Sequence, residues 1–314
     1  MTELRDVRQG QSLCAYELRK ATEAAARVMF ARLGRAERQT AAAAARATLI
    51  AELDAHGLDA RLLDGSGRRL GDPTRLPGWD VLYDPAEGAA CVAAGMTNAL
   101  ACLAIAPAGS LLDPGPAFYM EKLVAPPAAA AAIDPTAPVE GRLAALAHAL
   151  GKSVADLTVY VLEKPRHRDL VERIEAQGAR VALYPAGDVA GAVLASTPDS
   201  GIDALMGTGG VTEGLLSACA VRVIGGTFLA RFDPQLATER RAVADAGLDT
   251  TRWMGLDDLV RADDVAFCAT GITTGLLLDG VAPTAGRIRT QSLLVGGGAG
   301  ERQVLTAWHR NGEA

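Results

Sequence analysis

Leu157-Thr-Val-Tyr-Val-Leu-Glu-Lys-Pro-Arg-His167 is a largely apolar run that ends in a charged, proline-containing turn. The pattern returns twice. Arg180-Val-Ala-Leu-Tyr184 runs into Pro185-Ala-Gly-Asp188, and Asp203-Ala-Leu-Met206 runs into Gly207-Thr-Gly-Gly-Val-Thr-Glu-Gly214. Short apolar runs rich in β-branched and aromatic residues, bounded by Gly, Pro and Asp, read as strands. Residues 168–177, 189–195 and 213–219 between and after them carry helical spacing. Strands alternating with helices predict an α/β layered fold.

Upstream, helices are expected over Ala15–Leu33 and Thr40–Leu53, stopped by Gly34 and by His56-Gly57. Strands are expected at Ala60–Leu63, Asp80–Tyr83 and 97–106, and a helix at Val139–Leu150. Residues 124–138 are low in complexity and read as a surface connection, with a binding segment the alternative. Strands at Asp264–Ala269 and Gln291–Val295 close the chain. The pattern places a boundary between an N-terminal α+β domain, 1–155, and a C-terminal α/β domain, 156–314.

The 314 residues are 49% hydrophobic and 22% charged, an ordinary globular composition. A net charge of -6 gives no electrostatic reason to hold a nucleic-acid backbone, and no basic face for a membrane surface. The first 30 residues lack the apolar core of a signal peptide, and the apolar stretch Ala89–Pro107 is broken by Gly95, Thr97 and Asn98. Five scattered cysteines without a C-x-x-C point to reduced thiols in the cytoplasm, and four dispersed histidines form no zinc pattern.

Four segments set polar groups beside glycine at strand ends, where backbone and side chains can meet a ligand. In Tyr83-Asp-Pro-Ala-Glu-Gly88, Asp84 and Glu87 can converge on one hard cation, or form a solvated turn with Asp84 capping the next helix. Lys164 and Arg166 suit a phosphate at a helix N-terminus, or are exposed charges; His167 reads as a cap or surface residue. Asp188 accepts sugar hydroxyls or caps a helix. The loop Gly207–Gly214 can wrap an anion through its amides, with Glu213 as a third metal carboxylate. Together the acids, bases and glycine loops describe a metal-assisted sugar-phosphate site.

These segments, with Thr97-Asn-Ala-Leu100, Phe118-Tyr-Met-Glu-Lys-Leu123, Pro198-Asp199 and Ala269-Thr-Gly-Ile-Thr273, resemble the class II fructose-1,6-bisphosphatases, within the lithium-sensitive metal-dependent phosphatase superfamily. The resemblance implies a layered α-β-α-β-α sugar-phosphatase fold, a homodimer or homotetramer, and hydrolysis of the 1-phosphate of fructose 1,6-bisphosphate with Mg²⁺ or Mn²⁺. It implies that Asp84, Glu87 and Glu213 are catalytic metal ligands, and that Gly88, Tyr119, Lys164, Arg166, Gly187, Asp188 and Gly210 hold the sugar phosphate.

The chain departs from the pattern at the metal side. Ala42 stands where the resemblance implies an Asp ligand, Ser66 where it implies a Glu, and Ala89 where a Thr helps activate water. Three carboxylates imply one cation rather than two, or a lost metal, unless Glu37, Asp64 or Asp72 substitutes. The expected activity is metal-dependent hydrolysis of a sugar (bis)phosphate. The alternatives are isomerisation or elimination on the same ligand, or a non-catalytic sugar-phosphate binder.

Overall fold

Leu18, Ala21, Ala25 and Met29 recur every three or four residues and are buried, which is the amphipathic pattern that makes α1 (Ala15–Phe30). Ala41, Ala45, Leu49 and Leu53 do the same for α2 (Arg38–Ala55). The computed structural model describes residues 3–5, 12–296 and 301–310. Its contacts form two compact units, residues 1–111 with 262–314, and residues 112–261.

The first unit begins with a hairpin of β1 (Glu3–Arg5) and β2 (Ser12–Cys14), followed by α1 and α2. Then come β3 (Ala60–Leu62), β4 (Arg69–Leu70), β5 (Trp79–Glu87), α3 (Ala89–Ala93) and β6 (Leu100–Pro107). The chain leaves for the second unit, which holds β7 (Tyr119–Ala125), α4 (Val139–Leu150), β8 (Thr158–Leu162), α5 (Arg168–Ala176), β9 (Arg180–Tyr184), α6 (Asp188–Ser196), β10 (Ala204–Gly210), α7 (Val211–Ile224), β11 (Thr227–Phe232), α8 (Ala237–Asp245) and α9 (Leu256–Leu259). It returns as β12 (Ala266–Gly271), β13 (Ala282–Thr284), β14 (Arg287–Gly296) and β15 (Glu301–Arg310).

The first unit's sheet runs β13-β14-β12-β6-β5-β3-β4, with β15 on β14. Alanines on α1 and α2 let both helices lie close to it, over a core that includes Val81, Tyr83, Leu103, Ile105 and Cys268. The second unit's sheet runs β11-β7-β10-β8-β9, parallel from β10 through β8 to β9 and antiparallel elsewhere. The α/β class stands, with a sheet and helices in each unit.

Three expectations need correction. The boundary at residue 155 falls inside the second unit, because β12 pairs with β6 and returns the chain to the first sheet. Tyr119–Ala125, to which no element was assigned, pairs on both sides within the second sheet; Glu121 and Lys122 in its middle hid it. Val124–Ile133 is no plain surface connection, since Val124, Ala125, Ala129 and Ile133 are buried. The other expected elements lie within a few residues of their places, while β11, α8, α9 and β13 were not expected, and β15 rather than Gln291–Val295 closes the described chain.

Cys91, Cys102, Cys219 and Cys268 are buried, and burial pushes the Cys219 thiol up to about 12, as befits packing groups rather than reactive ones. The side chain of Cys14 lies outside the described residues. No helix among the described residues is long and apolar enough to cross a membrane.

Candidate functional site

In the second unit, Lys164 caps a single 3-10 turn (Pro165–His167) that follows β8, and Arg166 lies within it. Arg166 donates from Nε and Nη2 to the Thr208 carbonyl at 3.0 and 2.7 Å and lies over the Tyr119 ring, 5.2 Å from its centroid. This fork fixes the guanidinium while Nη1 makes no hydrogen bond to a described residue. Lys164 donates to the Pro185 carbonyl at 2.7 Å. His167 lines two neighbouring cavities, one on the Lys164 side and one on the Arg166 side. Lys164 borders a cavity of about 570 Å³ with Glu172 and Leu183, and Arg166 borders one of about 520 Å³ with Thr208 and Asp233.

His167 is no surface residue: it holds the N-cap position of α5 without a side-chain capping bond, and its ring is a buried clamp. Thr208 N–H donates to its Nε2 at 2.8 Å, so Nδ1 carries the proton and donates to the Leu162 carbonyl at 2.7 Å. Burial first, then the Arg166 and Lys122 charges, hold its pKa below the ordinary 6.5, outweighing the Leu162 bond and Asp188. The neutral form is therefore the folded form. Its contribution is full above about pH 6.5 and is lost as pH falls through the lowered folded value. Chemical denaturation from about pH 7 down to 5 should show this loss, and His167→Asn should flatten it; parallel curves would refute the clamp.

Asp188 opens α6, and Gly187 before it takes φ +110. The cap makes no side-chain hydrogen bond, so Asp188 is not an N-cap. Its Oδ2 is ion-paired with the buried Lys122 ammonium, while Oδ1 makes no hydrogen bond to a described residue. Glu213 sits in the first turn of α7. Burial pushes its pKa up, the Lys122 charge opposes that, and Asp188 adds to it.

The glycines of Gly207–Gly214 do not form an anion-wrapping loop. Gly207–Gly210 belongs to β10 and is in ladder register with β7. A Cβ on Gly209 would fall on the Asp188 carboxylate, and one on Gly210 on that of Glu213. The glycines leave room for acidic side chains rather than presenting amides. Glu239, which sequence reasoning missed, is 2% exposed and accepts N–H bonds from Phe118, Tyr119 and Gln235 at 2.7, 2.8 and 2.9 Å. It anchors the backbone that carries Tyr119, and no local pattern marks it.

In the first unit, Asp84 faces Cys102 and Glu87 faces Leu100 across β5 and β6. Three residues apart on a regular strand, they would point to opposite faces. The bulge between them adds one residue, so both share the face of Leu100 and Cys102. Asp84 Oδ1 accepts the Ala86 N–H at 2.9 Å, and Gly88 begins α3 without a side-chain cap, so Asp84 caps no helix.

Ala42 and Ala89 both pack against the apolar core of this unit. Ser66 lies in an exposed turn, its hydroxyl accepting the Arg68 N–H at 3.1 Å. The candidate substitutes are engaged elsewhere. Glu37 pairs with Arg32 at 2.9 Å, and Asp72 accepts from Thr74 at 2.7 Å. Asp64 is ion-paired with Arg46 and accepts from Tyr83 Oη and Ser66 N–H. Burial resists its ionisation, but bonds from Ser66, Tyr83 and Arg46 hold it well below the usual carboxylate range. Among the described residues no three His, Cys, Asp or Glu side chains are grouped to hold a metal ion.

The sequence profile described as "Bacterial fructose-1,6-bisphosphatase, glpX-encoded" matches residues 12–309. The chain belongs to this bacterial fructose-1,6-bisphosphatase family. Among curated members it is 39% identical over 246 residues to fructose-1,6-bisphosphatase 2 class 2 of Escherichia coli K12, covering 74% of this chain and 76% of that one. It is 36% identical over 306 residues to fructose-1,6-bisphosphatase class 2 of Haemophilus influenzae, covering 90% and 92%. The figures are 36% over 306 residues, 90% and 91%, for fructose-1,6-bisphosphatase 1 class 2 of Escherichia coli K12.

Proposed function

We propose that the protein hydrolyses a phosphate monoester of a sugar bisphosphate, with fructose 1,6-bisphosphate the first candidate, using a single Mg²⁺ or Mn²⁺. The observation that carries this reading is the organised second-unit cluster: Arg166 forked to Thr208 and stacked on Tyr119, with Asp188 and Glu213 beside buried Lys122. A fixed guanidinium with a spare N–H suits phosphate, and Asp188 Oδ1 suits a sugar hydroxyl. The remaining Lys164 donors add a second positive charge at the strand end.

The donor chemistry fits one hard cation. Asp84 and Glu87 on one sheet face of the first unit would supply two carboxylates, while the apolar packing of Ala42 and Ala89 does not fit a second cation. When bound, the cation would stabilise the leaving phosphate and acidify water. Ala89 offers no hydroxyl to polarise that water, a loss worth roughly 10² to 10⁴ in rate. A homo-oligomer in the cytoplasm completes the reading, supported by the family resemblance and the scattered cysteines.

Phosphate release from fructose 1,6-bisphosphate and a panel of sugar phosphates, with Mn²⁺, Mg²⁺ or EDTA, tests it. Slow release that EDTA abolishes is expected. Binding without release in every metal would overturn hydrolysis and turn the search to isomerised or dehydrated products.

A further inference from the structure

Lys122 is 2% exposed on β7, in register with Gly207 of β10 and Ala230 of β11. Its ammonium is ion-paired with Asp188 and lies 3.4 Å from the Gly210 carbonyl. The room it occupies is shaped by its neighbours. A Cβ on Gly209 would come within 2.6 Å of Nζ, and a Cβ on Gly214 would meet Met120 and lie 3.4 Å from Lys122 Cδ. One ammonium thus serves two carboxylates in the first turns of two helices, Asp188 of α6 by direct pairing and Glu213 of α7 through its charge. A buried cation this enclosed is a poor phosphate ligand and a good fixed counter-charge.

We propose that Lys122 is a positioning residue: it holds Asp188 by Oδ2 so that Oδ1 is presented to a hydroxyl of the bound sugar phosphate. The proposal rests on the reading of the second unit as a sugar-phosphate site. Lys122 acts through Asp188 and touches no substrate atom.

The test compares the full-length parent with Lys122→Met, Asp188→Asn and the double variant. The readouts are Kd for fructose 1,6-bisphosphate by calorimetry, and KM and kcat for phosphate release. Each single substitution should raise Kd and KM by about tenfold, with a smaller change in kcat. The double variant should be no worse than the poorer single, because both changes remove the same oriented carboxylate. Lys122→Met alone strands a buried carboxylate and should lower the thermal midpoint; the double variant removes both charges and keeps the protein testable. A lowered midpoint with parental Kd and KM would overturn positioning in favour of a structural role. Additive losses in the double variant would overturn it too, since they mean independent contacts. A parent that neither binds nor hydrolyses the sugar bisphosphate would overturn the underlying site, and the role of Lys122 with it.

Discussion

Glu213→Gln should cut phosphate release by about 10² or more, while leaving the metal-free protein as stable as the parent or more so. The two effects have one cause. Glu213 is a buried carboxylate in the first turn of α7, and burial raises its pKa above the ordinary 4.5 despite the Lys122 charge. With the folded value raised, the group favours folding most below about pH 4.5, and that contribution is lost as pH rises through the folded value. At neutral pH in EDTA the ionised side chain therefore costs stability, which the isosteric amide removes. The stability gap should close in acid. Thermal midpoints in EDTA at about pH 7 and 4, beside phosphate release with Mn²⁺, measure both arms. A variant that keeps parental activity would remove Glu213 from the machinery. One that is active and less stable would make it structural.

Arg166→Ala should weaken binding of fructose 1,6-bisphosphate by about 1.5 to 3 kcal/mol, roughly 10- to 150-fold in Kd. The side chain is exposed, and its two bonds to the Thr208 carbonyl with the Tyr119 stack aim it rather than bury it. The cost to folding should therefore be small beside the cost to binding. Arg166→Lys keeps the charge but not the planar fork, and should recover only part of the affinity. Because Lys164 borders a different cavity, Lys164→Ala and Arg166→Ala should combine additively. Calorimetry on the four proteins decides this. An unchanged Kd for Arg166→Ala would refute its phosphate role.

The α/β class and the identity of the polar residues at strand ends were legible in the sequence, because local composition and spacing carry them, and the family was legible through the resemblance of its motifs. Gly187, Asp188 and the Gly207–Gly214 run are marked by turn chemistry that needs no partner. What a glycine is for was not legible. Gly209 and Gly210 read as an anion loop, yet they sit in β10, and acidic side chains fill the space that a Cβ on either would take. Lys122, Glu239 and His167 owe their roles to partners up to 121 residues away, and no window of sequence contains both ends of such a bond.

The same division runs through the first unit. The sequence alone determined that Ala42 and Ala89 are apolar and that Ser66 carries no carboxylate, at positions where the family resemblance implies ligands and a water-activating hydroxyl. Tertiary structure decided which partners engage the other acids: Arg46 and Tyr83 hold Asp64, Arg32 pairs with Glu37, and Thr74 donates to Asp72. It also decided that Asp84 and Glu87 share a face, through a bulge that the spacing of the two residues does not announce. Residue identity is local and survives in the string. Which groups meet, and which are already engaged, depends on chain segments that only folding brings together.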